Sequence, residues 1–155
     1  MEKNINVPKK YINLSGLEQI RQRIGLTSEP PIFKTMCMKI TKAEKGYVEL
    51  EAVPDYHHLN IMGVVQGGVT ASILDAVTGC TIQTILEPGA KYTTIDLNVK
   101  YIKPVKADGT ILIAEGQTIN VSNRIGIAQG TLKDKSGTLY AYASASCIIF
   151  RETRH

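Results

Sequence analysis

The sequence predicts an α+β fold in which one long helix packs on the face of an antiparallel sheet. Residues 67–86, GGVTASILDAVTGCTIQTIL, form one apolar stretch of helical length. Residues 91–150 then break into four segments whose polarity alternates with period two between turn-rich breaks. A shorter period-two pair precedes the helix. Helices gathered on one face of antiparallel strands satisfy both patterns.

Each element can be justified in order. Residues 1–13 read as a polar arm. Ser15-Gly16-Leu17-Glu18 has the Ser-x-x-Glu form of a capping box, and Leu17, Ile20 and Ile24 follow at helical spacing. A short helix is therefore expected at about 15–25, with Gly25 as its stop and Glu29-Pro30-Pro31 closing the region. From Ile32 to Val53 a hairpin is expected. Met36, Met38 and Ile40 alternate with polar neighbours, Lys45-Gly46 turns, and Val48, Leu50 and Ala52 alternate again. Residues 55–65 show no periodicity. The stretch at 67–86 has the length of a membrane span, but its Asp, Gln, four Thr and one Ser argue against one. A soluble helix buried on every side is the expectation, ended by Pro88-Gly89. Strands follow at 92–102, 110–121, 125–133 and 138–150, forming a meander. Asn123 is expected in a left-handed conformation in the tight turn at 122–124.

Composition narrows the function classes. A chain of 155 residues makes one domain. A net charge of +4 suits small anions, nucleotide-bearing cofactors among them. Nucleic acid is disfavoured because the basic residues are scattered and there is no Trp to stack on bases. Cys37, Cys80 and Cys147 are odd in number and far apart, fitting neither a disulfide framework nor zinc-ligand spacing. With no signal-peptide pattern at the start, the cytoplasm is expected.

Four features are candidates for chemistry. Asp75 is the lone charge in the apolar helix, and a carboxylate placed there is costly unless it is hydrogen-bonded or used. It could equally cap a neighbouring backbone. Gly67-Gly68 opens the helix, where free amides stabilise an oxyanion. Yet Asp75 lies roughly 12 Å further along the axis at 1.5 Å per residue. Asp55-Tyr56-His57-His58-Leu59-Asn60 invites a metal, but adjacent side chains diverge and no third ligand stands at a usual spacing, so none is expected. A loop that sets His58 and Asn60 beside a ligand fits better. Lys100, Lys103, Lys106 and Arg124 could hold phosphates, Arg124 being best placed beside a turn.

Taken together, His58-x-Asn60-x-x-Gly63-x-x-Gln66-Gly67-Gly68, then Asp75, then Thr94-Ile95-Asp96-Leu97-Asn98-Val99-Lys100-Tyr101-Ile102-Lys103-Pro104 and Asp134-x-x-Gly137-Thr138-Leu139-x-Ala141 are similar to the hotdog-fold thioesterases of the phenylacetate-degradation type. The likeness runs through roughly residues 32–150. It implies an N-terminal arm with a short helix (1–31) and a hotdog thioesterase domain (32–155). A long central helix would be wrapped by a curved antiparallel β-sheet. The resemblance implies hydrolysis of an acyl-CoA to a free acid and CoA, with no cofactor beyond the CoA of the substrate. It also implies homodimers joining into homotetramers, with active sites between subunits. Carried onto matching positions, Asp75 is the base or nucleophile and the Gly67 amide the oxyanion donor. Asn60 contacts the thioester or the attacking water, and Thr94 assists near the carboxylate. His58, Gln66, Gly68, Asn123 and Arg124 are expected to bind substrate. The departure is Gln66, where the family pattern most often has His; Gln offers a neutral donor and acceptor in its place. A dehydratase would need a His facing Asp75, and only His155 lies downstream of His58. A non-catalytic acyl-CoA-binding protein is the alternative reading.

Overall fold

A computed structural model of the chain describes residues 11 and 13–151. The rest of the arm expected at 1–13 lies outside the described residues. The elements, in order, are helices α1 (Gly16–Arg21) and α2 (Pro31–Thr35), strands β1 (Met38–Glu44) and β2 (Tyr47–Ala52), helix α3 (Gly67–Gln83), and strands β3 (Lys91–Tyr101), β4 (Leu112–Val121), β5 (Ile125–Asp134) and β6 (Leu139–Phe150). The strands form one antiparallel sheet in the order β1-β2-β4-β5-β6-β3. Helix α3 lies against β2 through β6. This is the hotdog arrangement, a long helix wrapped by a sheet.

The capping box is present: the Ser15 amide donates to Glu18 Oε2 at 2.8 Å, and the Ser15 hydroxyl accepts from the Glu18 amide. The helix is shorter than expected, however. It ends at Arg21, and Gly25, at φ +79°, instead lets the chain turn so that its amide donates to the Ile40 carbonyl. The hairpin also starts later than expected. Pro31 supplies the first position of α2, where its missing N–H costs nothing, so residues 31–35 are helical rather than extended. Met38 and Ile40 face inward on β1, opposite Leu50 and Ala52 on β2.

Strand pairing corrects the expected meander. Strands β4, β5 and β6 follow one another, but β3 crosses to the far edge beside β6 while β2 takes the place next to β4. Register shifts in four of the strand pairs, among them one between Thr94 and Asp96, add the local bends that let the sheet curl about the helix. The main core gathers Ile73, Leu74 and Val77 of α3 with Val48, Leu50, Ala114 and Leu132 of the sheet. A smaller cluster of Ile82, Leu86, Ala128, Cys147 and Ile149 closes the carboxyl end of α3.

Helix α3 is not buried on every side. Thr70, Ile73, Leu74, Val77, Thr78, Thr81 and Ile82 are enclosed by the sheet, whereas Ala71, Ser72, Asp75, Ala76 and Cys80 form a half-buried stripe. Three threonines tolerate the core because their hydroxyls donate to helix carbonyls: Thr78 to Leu74, Thr81 to Val77 and Thr84 to Thr81. No helix among the described residues is long and apolar enough to cross a membrane.

Candidate active site

Asp75 sits on the open stripe of α3, one turn before Gly79. Its carboxylate meets β3: the Thr94 hydroxyl donates to Asp75 Oδ1 at 2.8 Å. Thr94 itself backs onto Cys147 Sγ at 3.9 Å. The pair opens into a cleft of about 550 Å³ between α3, β3 and α2. Phe33 and Ile32 of α2 supply an apolar wall that sequence reading did not assign to the site. Tyr92, two residues before Thr94 and so on the same strand face, packs closely against α3 where residue 79 is glycine; a Cβ there would come within 2.9 Å of Tyr92 Oη. That periodicity was the available signal for Tyr92.

Burial keeps the other titratable groups of this cleft neutral. It pushes the Cys80 thiol up to about 12 and the Tyr92 phenol well above its ordinary range. Cys147, behind Thr94, is raised by burial as well. None of these thiols is an activated nucleophile. Among the described residues, Asp75 is the lone carboxylate lining the cleft.

The second part of the site is the amino end of α3. Gln66 is its N-cap at φ −57° and ψ 134°, and no side chain caps the helix. The first-turn amides of Gly67 and Gly68 therefore have neither a preceding helical carbonyl nor a capping oxygen. The Gly67 carbonyl is held by the Tyr101 hydroxyl at 2.8 Å, another contact that spacing did not reveal. Gln66 and Gly68 are exposed. A cleft of about 270 Å³ lined by Gly67, Thr70, Tyr101 and Lys103 adjoins this end. Lys106 lines a neighbouring cavity of about 400 Å³ with Lys103.

The loop before α3 is shaped by Asn60 and His58. Asn60 Oδ1 accepts from the amides of Met62 (2.9 Å) and Val64 (3.3 Å), folding the loop back on itself. His58 is buried at 7 % exposure and both its ring nitrogens are engaged within the chain, Nε2 against the Thr35 carbonyl at 2.7 Å and Nδ1 with the Asp55 amide at 2.9 Å. Its carbonyl also accepts from the Gln66 amide at 2.8 Å, tying the loop to the start of α3.

One chain brings together Asp75 and Thr94, and separately Gln66, Gly67 and Gly68 beside the Asn60 loop. It does not bring these two groups together, since the cleft around Asp75 has no residue of the 58–68 segment in its lining. Asn123 and Arg124 lie elsewhere again, at the carboxyl end of α3, where neighbouring Gly126 packs on Ile82. Asn123 is not left-handed as expected; among the described residues Cys37 is the only non-glycine with positive φ. The turn is closed instead by Ser122, whose Oγ accepts from the Ile125 amide at 3.0 Å. Arg151 bonds the Asn123 carbonyl and Glu87, pinning this turn.

A long helix wrapped by an antiparallel sheet is the hotdog fold, and here it carries a hydroxyl-supported carboxylate in mid-helix and a glycine-rich, uncapped helix start. The chain belongs to the Thioesterase superfamily, whose sequence profile matches residues 62–141. Human acyl-coenzyme A thioesterase 13 is 29% identical over 101 residues, covering 64% of this chain and 71% of that one. A provisionally named esterase of Halobacterium salinarum is 31% identical over 98 residues, 58% of this chain, and the match spans 63% of that protein's length. The solved structure of the Escherichia coli PaaI protein, from the phenylacetic acid degradation operon, superposes with a TM-score of 0.77 at 16% identity, over 90% of this chain and 99% of that one.

Proposed function

We propose that the protein hydrolyses an acyl-CoA thioester to a carboxylic acid and CoA, acting in the cytoplasm as a dimer or tetramer with its active sites between subunits. The observation that carries this reading is the Asp75–Thr94 pair, a carboxylate oriented by a hydroxyl at 2.8 Å in an otherwise neutral cleft. The thioester carbon sits before Asp75, which either takes a proton from water or attacks the carbon directly. The partner's Gly67 amide receives the oxyanion, the CoA thiol leaves, and water completes the acid. Thr94 is a positioning residue here. Asn60, with its oxygen committed to the loop, retains its amide N–H groups for substrate, and exposed Gln66 offers a neutral donor. His58 holds the loop rather than the substrate. Residues 32–155 form the catalytic domain in this reading, and 1–31 an extension.

Distance and the surface of β3 support the reading of an intersubunit site. Gly67 and Asp75 stand roughly 12 Å apart along one helix axis, too far for one carbonyl. Strand β3 is a free sheet edge that exposes Ile95, with Tyr101 and Ile102 at its end, a combination suited to pairing with a second copy.

The test is CoA thiol release from a panel of aryl and short and medium aliphatic acyl-CoAs. Asp75→Asn keeps an acceptor for the Thr94 hydroxyl, so it should fold normally while kcat falls on the order of 10²–10⁴. A wild type that binds acyl-CoA without releasing thiol would favour the non-catalytic binding protein. Turnover surviving in Asp75→Asn would remove Asp75 from the mechanism.

A further inference from the structure

A second cavity, of about 610 Å³, borders α2 and the entrance to β1. It shares two residues with the Asp75 cleft, since Phe33 and Met38 line both. Each of the two is only 2 % exposed and belongs to the main core. The rest of the second cavity suits hydrocarbon. Val53 and Ile111 are apolar, and burial, with Asp55 beside it, raises the Cys37 thiol and keeps it neutral. Of the charged residues there, Lys39 and Glu51 pair with each other at 3.0 Å, and Lys34 is exposed to water.

The Asp75 cleft therefore has two unlike ends. At one, Tyr92 packs against Gly79 and against the cluster of Ile82, Cys147 and Ile149, so an acyl group growing that way meets filled core. At the other, the Phe33 ring and Met38 are backed by open space. Between Asp75 and that wall the cleft offers Ala76, Ile32 and Leu97, with no charge to meet a polar tail. The acyl group has one direction in which to lengthen and a buried aromatic ring across it.

We infer that Phe33 is the specificity-determining stop for acyl length, an inference that rests on the acyl-CoA reading above. The substrates it favours are compact, uncharged acyl groups, aryl or short to medium aliphatic, whose far end abuts the ring. Each methylene buried against apolar surface strengthens binding about fourfold, and this gain ends where the chain reaches Phe33. A longer chain must displace a core side chain to proceed. Phe33 lines the same cleft as Asp75 in one chain, so the stop holds whatever a partner subunit adds at the α3 amino end.

The test is the profile of kcat/KM from butanoyl- to lauroyl-CoA on the full chain, with competition binding of the same series. Wild type should gain with length and then level off or fall. In Phe33→Ala the ratio of lauroyl to hexanoyl kcat/KM should rise at least about tenfold over wild type, because two methylenes admitted to apolar space already supply that factor. A variant that is merely destabilised loses on every substrate alike and leaves the ratio unchanged. Should Phe33→Ala fold poorly, Phe33→Leu opens less space and should raise the ratio about fourfold. Val53→Phe, which fills the second cavity, should cancel the gain in either background. An unchanged ratio in an active Phe33 variant, or a gain that survives Val53→Phe, overturns the stop and leaves hydrolysis standing. If acyl-CoA binds and no thiol is released, the hydrolase reading fails and the same ratio read in Kd decides the stop. No binding of any acyl-CoA overturns both.

Discussion

Four hydrogen bonds converge on the Asp134 carboxylate. The Ser136 hydroxyl (2.6 Å), the Ser136 amide (2.8 Å) and the Thr138 amide (3.0 Å) reach Oδ1, and the Tyr140 hydroxyl (3.1 Å) reaches Oδ2. The Ser136 hydroxyl first, then the Thr138 amide and Tyr140, hold the acid down to about 2 from an ordinary 3.8. A depressed folded-state value means that the ionised group stabilises the fold fully above the unfolded value, and that this contribution fades as pH falls from about 4 towards 2. Melting temperatures of wild type and Asp134→Asn should therefore differ by a constant amount above about pH 5 and converge near pH 2. A constant gap at every pH would mean that the turn draws nothing from the charge. Single residues also mark the limits of the sequence. Asp75 stands out in a string of apolar letters, and an Asp followed by Gly137 and Thr138 reads as a turn. The placing of Phe33 beside Asp75 does not read at all, because the β1–β2 hairpin and the loop before α3 intervene.

At the scale of the elements, strands β2 to β6 were legible to within a residue or two because alternation survives wherever one face is buried, whereas β1 begins six residues later than the expected hairpin. Helix α2 was not, since Pro30-Pro31 reads as a breaker and only the packing of Phe33 reveals that Pro31 begins a helix. The place of β3 at the sheet edge was also hidden, because strand order depends on partners distant in sequence. How closely α3 lies on the sheet is written in glycines. A Cβ at Gly116 of β4 would stand 2.3 Å from Thr81 Oγ1 and 2.8 Å from the Val77 carbonyl, and helix backbone cannot yield by that much. Gly116→Ala should destabilise by about 3 kcal/mol, lowering the melting temperature by roughly 6–12 °C. Gly68→Ala is the control, with its nearest neighbour 3.9 Å away. If both variants melt with wild type, the helix is not held against β4 as tightly as this contact implies.

For the whole molecule, the decisive matter is whether one active site needs two chains. Each chain carries a complete Asp75–Thr94 pair and a complete helix start, yet holds them apart. Gly67→Pro can remove the oxyanion donor without breaking α3: residue 67 is the first helical position, where proline is favoured, and Gln66 already has the extended backbone that precedes proline. Asp75→Asn removes the other half of the chemistry. Each variant alone should be inactive. Mixed in equal amounts and allowed to exchange subunits, half of the dimers become mixed. One of the two sites in each mixed dimer then combines an intact Gly67 amide with an intact Asp75, so about one quarter of wild-type activity should return if the sites are intersubunit. Native mass spectrometry of the mixture confirms that exchange has occurred. If mixed dimers form and no activity returns, both halves of the site belong to a single chain, and α3 must then shift on substrate binding to bring its amino end to its own carboxylate.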